Sequence, residues 1–149
     1  MSRKQAGQWV RVCRDPKALR DETSVGPVVG PKEVWGLLRE RAGSEDQECF
    51  YVVSLDTRMR IRGIEEVTRG TVNSTPVHPR EVFRSAILLG ARKVIVAHNH
   101  PAGSLTPSEA DMQVTEVLRE AGQVLDIPLV DHLILSEEGY YSFAEHGGL

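Results

Sequence analysis

The spacing of apolar residues along the chain predicts alternating helices and strands. Short apolar runs of strand length are separated by segments in which apolar residues recur every three or four positions. The predicted helices are 31–42, 79–89 and 107–121, and the predicted strands are 49–55, 59–67, 93–97, 129–135 and 140–143. This mixture in this order predicts a single α/β domain, with a mixed sheet flanked by helices.

Two of the predicted helices have a marked apolar face. In helix 79–89 that face comprises Val82, Phe83, Ala86 and Ile87, with Gly90 just past the end. In helix 107–121 the inward set is Val114, Val117, Leu118 and Ala121, and Gly122 is expected to stop the helix. Residues 15–30 are rich in charge, Pro and Gly, and residues 1–30 are interpreted as an N-terminal arm, so that the domain proper covers 31–149.

Composition narrows the class of protein. The net charge of −3 argues against a domain whose main partner is nucleic acid, because such domains are usually strongly basic. Two cysteines provide neither a disulfide framework nor a paired-cysteine metal signature. The chain shows neither an export signal nor an apolar run of membrane-spanning length, so a cytoplasmic location with no membrane partner is expected.

The chemistry concentrates between His98 and Asp111. Because side chains alternate along a strand, His98 and His100 should emerge on one side of the strand that leads into them. Residues 101–104 form a turn, and residues 106–109 read as a helix start: Thr106 as N-cap, Pro107 at the first helical position and Glu109 closing a capping box.

Within that helix Ser108 and Asp111 share a face, which brings two imidazoles, a hydroxyl and a carboxylate together. Two His nitrogens and one Asp oxygen suit zinc, and three protein ligands leave a fourth position open, as in catalytic sites. The competing interpretation is that the histidines are polar residues at a strand end and Asp111 is a solvated helix residue.

These residues resemble a known motif. His98, His100, Ser108 and Asp111 match, position for position, the JAMM motif of the MPN-domain metallohydrolases. The segments 77–83, 98–101 and 131–134 resemble the RadC branch of that superfamily. The resemblance implies an MPN-like (cytidine deaminase-like) fold and one zinc ion per chain, held by His98, His100 and Asp111. Longer RadC-like proteins carry a helix-hairpin-helix segment before this domain, and a short form without it is expected here.

The resemblance also implies a carboxylate that takes a proton from water. Glu48 fits best, because RadC-like proteins carry a Glu directly before the strand that begins at Cys49. Glu33 is the rival, since the residues after it resemble the sequence around the base in other MPN branches. Ser108 would hold the water or stabilise the oxyanion, although it could instead only cap its helix.

Asp131 and His132 also match the RadC-like pattern. Strand alternation lets only one of the two face the site, where it would hydrogen-bond a ligand. His78 and His146 are not expected to be ligands.

The function that the resemblance implies is a zinc-dependent peptidase or isopeptidase that acts on a protein or peptide, of which a ubiquitin-like conjugate is one candidate. Residues 70–77 would then form part of a substrate groove that binds an extended peptide by strand addition. The alternative is a DNA-repair-associated accessory protein or a metal-dependent nuclease, for which the basic strip of Arg80, Arg84, Arg92 and Lys93 would be the phosphate surface. An inactive scaffold is disfavoured because no motif ligand is missing.

Overall fold

A computed structural model describes residues 27–43, 46–70 and 77–149 of the chain. Its elements are α1 (Pro31–Gly43), β1 (Glu48–Leu55), β2 (Ile61–Gly70), α2 (Pro79–Leu88), β3 (Lys93–Asn99), α3 (Glu109–Leu125), β4 (Leu129–Leu135) and β5 (Tyr140–Ser142). Most of the predicted arm, residues 1–26, and most of the predicted groove segment, residues 71–76, lie outside the described residues. Within the described part of the arm, Val28 is buried and its N–H donates to the carbonyl of Met59 at 2.8 Å.

The five strands form one mixed sheet in the order β2-β1-β3-β4-β5. Strands β3 and β4 run parallel, joined through α3, and every other neighbouring pair is antiparallel. Seven of the eight residues of β1 are buried, whereas β2 is mostly half-exposed, as expected for a central strand and an edge strand. The predicted fold class, a single α/β domain with a mixed sheet flanked by helices, is therefore confirmed.

The sheet separates two apolar layers. Helix α1 packs on one face through Val34, Leu38 and Ala42. Helices α2 and α3 cover the other face, with Phe83 and Leu118 among the residues at the centre of that layer. Strand alternation assigns Phe50, Val52, Val94 and Val96 to the α2–α3 face. Glu48 and His98 have the same parity as these residues, so both project on the α2–α3 side.

Two predicted inward positions are wrong. Ile87 of α2 is 55% exposed, and Val117 of α3 is 48% exposed. Both satisfy the helical spacing, but each lies at the margin of its apolar stripe, beyond the width of helix that the sheet covers.

The predicted end of α3 is also wrong. The helix continues past Gly122 to Leu125, and Asp126 ends it in the left-handed conformation with φ 56°. A Cβ on Gly122 would lie 2.6 Å from the carbonyl oxygen of Ile127. Gly122 therefore allows the chain to approach the helix closely on its way into β4, and does not terminate the helix.

Among the described residues, no helix has the length and the apolar character needed to cross a membrane.

Candidate metal centre

Four side chains converge where β1 begins, β3 ends and α3 begins. Glu48, His98, His100 and Asp111 each offer one ligand atom, and these four atoms all lie within 4.8 Å of one another. Because β1 and β3 pair so that Phe50 lies opposite His98, the first residue of β1 extends past the end of that ladder and over the site. The structure thus brings together the three predicted ligands and the preferred candidate base.

The distances test whether a metal ion fits. The Nε2 atom of His98 lies 3.1 Å from Nε2 of His100 and 3.1 Å from Oδ1 of Asp111. The Nε2 atom of His100 lies 3.0 Å from Oδ2 of Asp111. A tetrahedral zinc ion with bonds of 2.0–2.1 Å places its ligand atoms about 3.3 Å apart, so the two imidazole nitrogens and one carboxylate oxygen of Asp111 fit around one ion after a small outward adjustment.

Glu48 is set back from that triangle. Its Oε1 lies 4.0 Å from Nε2 of His98, and its side chain is 31% exposed, whereas that of His98 is 1% exposed. This carboxylate therefore lies on the solvent side of the three ligands, where it can reach a water molecule next to them.

Asp111 is held by the start of its own helix. Ser108 is the N-cap of α3: its Oγ accepts a hydrogen bond from the N–H of Asp111 at 3.0 Å, and its own N–H donates to Oδ2 of Asp111 at 2.9 Å. The prediction of a cap at Thr106 with Glu109 in the box is wrong by two residues. Since Ser108 Oγ is the acceptor in its capping bond, its hydroxyl hydrogen is left available to another partner.

Asp111 and His100 each shift the pKa of the other. Burial opposes ionisation of Asp111, but its hydrogen bonds with His100 and His98 outweigh burial and hold the pKa of Asp111 well below its usual range. The hydrogen bond with Asp111 likewise raises the pKa of His100 above its ordinary value. An anionic carboxylate between two imidazoles is the charge distribution that a divalent cation favours.

The predicted pair of Asp131 and His132 divides between the two sides of β4. His132 is fully buried, and its Nε2 lies 2.7 Å from Nδ1 of His98. Asp131 instead accepts hydrogen bonds from Oγ of Ser142 at 2.6 Å and from the N–H of Ala144 at 3.0 Å. Only His132 contacts a predicted ligand, because neighbouring strand residues point to opposite faces.

Thr115 is a residue that sequence reasoning missed. Its Oγ1 lies 2.6 Å from Nδ1 of His132, and it donates to the backbone carbonyl of Asp111, also at 2.6 Å. Thr115 follows Asp111 by four positions, one helical turn, so helical spacing was the available signal.

Aromatic rings complete the packing behind the histidines. Phe50 stacks on His98 at a centroid distance of 5.9 Å, and Phe143 stacks on His132 at 4.8 Å.

Asn99 is the last residue of β3, lies between His98 and His100 in the sequence, and faces the opposite side of the strand from His98. Its Oδ1 accepts a hydrogen bond from the N–H of Cys49 at 2.8 Å, and its Nδ2 donates to the carbonyl of Gln47 at 3.0 Å. Asn99 was not singled out from the sequence, because its partners lie about fifty positions earlier in the chain.

The remaining candidates lie away from this cluster. Glu33 accepts a hydrogen bond from the N–H of Gly30, and its helix α1 covers the opposite face of the sheet. His78 is the N-cap residue of α2. The ring of His146 stacks on Tyr141.

An open cavity of about 950 Å³ surrounds the cluster. Its apolar wall is formed by Phe50, Val77, Val114 and Val117, which explains why Val117 is exposed. Among the described residues that line it, none is a lysine or an arginine.

Comparison with known proteins supports the resemblance. The RadC-like JAB domain family matches residues 28–149. The UPF0758 protein of Chlorobium phaeovibrioides is 43% identical over 122 residues, which cover 82% of this chain and 55% of that protein. The UPF0758 protein of Thermotoga maritima is 47% identical over 104 residues, which cover 70% and 47% respectively. A similar protein from Rubrobacter xylanophilus is 45% identical over 124 residues, covering 83% and 54%. The chain spans about half the length of the curated relatives it matches.

Proposed function

Because this chain belongs to the RadC-like JAB domain family, we propose that it is a zinc-dependent hydrolase that cleaves an amide bond in a protein or peptide. The observation that carries the proposal is the convergence of four ligand atoms within 4.8 Å, with one carboxylate set back from the other three. His98, His100 and Asp111 would hold the ion, because two imidazoles and one carboxylate form a ligand set that binds zinc well. When bound, the ion supplies Lewis-acid chemistry: it activates water and polarises an acyl oxygen.

Glu48 is the general base in this proposal. Its carboxylate takes a proton from the attacking water and then delivers it to the nitrogen of the leaving amine. The position supports this role, because Oε1 lies 4.0 Å from Nε2 of His98 and the side chain faces the cavity. The position of α1 on the opposite face of the sheet is the reason that Glu33 is not the base in this proposal.

Ser108 is proposed to stabilise the oxyanion. Its hydroxyl hydrogen is not used by the cap, and Ser108 lines the cavity together with the ligands. A hydroxyl held by a helix terminus is a positioned donor that needs little reorganisation during the reaction.

The cavity supports a peptide substrate. The wall that contains Val114 and Val117 is apolar, and lysine and arginine are absent from its described lining. An extended peptide, such as the tail of a ubiquitin-like conjugate, can bind here through apolar side chains. The phosphates of a nucleic acid would meet the carboxylates of Glu48 and Asp111, with no lysine or arginine in the described lining.

A nuclease or a DNA-associated accessory protein is the alternative. In the basic strip, Arg84 is paired with Glu65 at 3.3 Å, and none of the four residues Arg80, Arg84, Arg92 and Lys93 lines the cavity. No described feature of the site favours this alternative.

The test uses the zinc-loaded protein, a peptide library, ubiquitin-like conjugates, and single- and double-stranded DNA. We expect cleavage of peptide or isopeptide bonds that is lost in Glu48→Gln and in the double variant His98→Ala, His100→Ala. Cleavage of DNA that depends on Glu48 would establish the alternative. If zinc binds at about one ion per chain and no peptide or conjugate is cut, the peptidase proposal fails.

A further inference from the structure

A chain of three short contacts lies behind His98. From α3, Thr115 Oγ1 contacts the carbonyl oxygen of Asp111 and Nδ1 of His132, both at 2.6 Å. The other ring nitrogen of His132, Nε2, lies 2.7 Å from Nδ1 of His98. Thr115, His132 and His98 are all at most 2% exposed, so protein groups must satisfy these polar atoms.

The position of each proton follows from the Asp111 carbonyl. A carbonyl oxygen only accepts, so the 2.6 Å contact requires that the single hydroxyl hydrogen of Thr115 points towards it. The Thr115 oxygen must then accept in its other contact, which requires a proton on Nδ1 of His132.

The same argument extends to His98. His132 is fully buried, and its ring nitrogens contact the Thr115 hydroxyl and the His98 ring rather than a carboxylate, so nothing there offsets the cost of a buried charge and His132 carries only the Nδ1 proton. Its bare Nε2 therefore accepts, and the proton in the 2.7 Å contact belongs to Nδ1 of His98. With that proton on Nδ1, Nε2 is the ring nitrogen of His98 that faces His100 and Asp111 and that a metal ion can bind.

We propose that Thr115 and His132 are positioning residues that fix the tautomer of His98, so that its Nε2 is always the atom free to bind the metal ion. In the opposite tautomer Nε2 would carry the hydrogen and could not be a ligand. Thr115 also joins the two halves of the site, since it contacts the backbone of the helical ligand Asp111 and, through His132, the strand ligand His98.

His100 provides an internal comparison. Its Nδ1 lies 2.9 Å from the carbonyl oxygen of Ser104, so that contact requires an Nδ1 proton and likewise leaves Nε2 facing the cluster. His98 and His100 thus both carry a proton on Nδ1, but different groups accept the hydrogen bond from it. His100 follows the end of β3 and uses a backbone carbonyl from the turn, whereas the buried His98 uses two side chains.

This inference rests on the metal site of the proposed function but not on its peptidase activity. The first test is therefore made on the zinc-free protein, by long-range ¹H–¹⁵N correlation of the histidine rings. We expect His132 to be protonated on Nδ1 alone and His98 to be protonated on Nδ1. A proton on Nε2 of His132 would overturn the proposal, whether or not the protein binds zinc or cuts a peptide.

The second test measures zinc affinity by competition with a chromogenic chelator. Thr115→Val has nearly the same shape but no hydroxyl, so Nδ1 of His132 loses its acceptor and the Nδ1 tautomer is no longer enforced. We expect zinc to bind about 10–100-fold more weakly, and Thr115→Ser to restore the affinity. Ser142→Ala is the matched control, because it removes an equally buried hydroxyl that contacts Asp131. Its zinc affinity should equal that of the wild type.

A double-variant cycle separates tautomer control from packing. In His132→Gln the side-chain oxygen can accept from Nδ1 of His98 without help from Thr115. We expect Thr115→Val to cause no further loss of affinity in that background. An equal loss in both backgrounds, or weaker binding in Thr115→Val with the tautomer of His98 unchanged, would overturn the proposal. If Thr115→Val does not fold, the ring spectrum of the wild type decides.

Discussion

The side-chain oxygen of Asn99 accepts a hydrogen bond of 2.8 Å from the backbone N–H of Cys49. The amide nitrogen of the same side chain donates to the carbonyl of Gln47 at 3.0 Å, so one buried amide holds the backbone on both sides of Glu48. The end of β3, which carries the candidate ligand His98 and leads into His100, thereby fixes the position of the candidate base. This relationship gives a physical reason for an asparagine between the two histidines.

Asn99→Leu tests that relationship. The variant removes the hydrogen bonds from the Asn99 side chain to the backbone of Cys49 and Gln47, and the loss of a buried hydrogen-bond partner costs about 1–3 kcal/mol of unfolding free energy. Displacement of Glu48 by about 1 Å should also lower kcat by about 100-fold. Urea denaturation and steady-state kinetics measure the two effects.

The zinc content of Asn99→Leu should stay near that of the wild type, because the metal ligands are unchanged. If a correctly folded Asn99→Leu protein has the same kcat as the wild type, then the hydrogen bonds of Asn99 do not position Glu48.

Glu48→Gln and Glu33→Gln form a matched pair. Both remove one negative charge, but only Glu48 faces the cavity, while Glu33 accepts a hydrogen bond from Gly30 on the other side of the sheet. We expect Glu48→Gln to lower turnover by about 100–10,000-fold with zinc still bound. Glu33→Gln should keep full turnover, and a loss in Glu33→Gln alone would reverse the assignment of the base.

Zinc affinity should fall as the pH is lowered. The hydrogen bond with Asp111 raises the pKa of His100, so below that pKa a proton occupies the ring nitrogen that zinc needs. Below the pKa of His100, where zinc must displace this proton, the apparent zinc affinity should fall about tenfold for each unit by which the pH is lowered. Above that pKa, protonation of His100 no longer affects zinc binding. Chelator competition from about pH 5.5 to about pH 8 measures the slope.

His146→Gln is the control for that slope, because His146 packs on Tyr141 away from the ligands. Zinc affinity that does not change across the range would mean that His100 is not a ligand.

Two helical glycines should respond in opposite directions to alanine. In Gly122→Ala the new Cβ meets the backbone oxygen of Ile127 at 2.6 Å, so we expect a loss of about 1–3 kcal/mol in unfolding free energy. In Gly36→Ala no atom lies within 4 Å of the new Cβ, and the higher helix propensity of alanine should add about 0.5–1 kcal/mol. Thermal denaturation of both variants checks the signs, and a stable Gly122→Ala protein would contradict the close approach of α3 to the chain entering β4.

Local patterns in the sequence were sufficient to predict all eight described helices and strands and the α/β class. Strand alternation and helical spacing also predicted that His98, His100 and Asp111 point towards one place. These features depend on residues close together in the chain, whose geometry follows from the repeats of a strand and a helix.

Only the tertiary structure decided the rest. Contacts between segments that are distant in the chain decided that His132 rather than Asp131 faces the site. Such contacts also gave Thr115 its position and Asn99 its hydrogen bonds to the backbone beside Glu48. The sequence already favoured Glu48 over Glu33, and the packing of α1 on the far face of the sheet adds the spatial reason, because it holds Glu33 away from the candidate metal centre. The cap at Ser108 and the buried Gly122 could not be predicted, because several residues satisfy a local rule equally well. The candidate metal cluster was therefore predictable from the sequence, whereas the contacts of His98 and Asp111 with His132 and Thr115 depend on how α3 packs against the sheet.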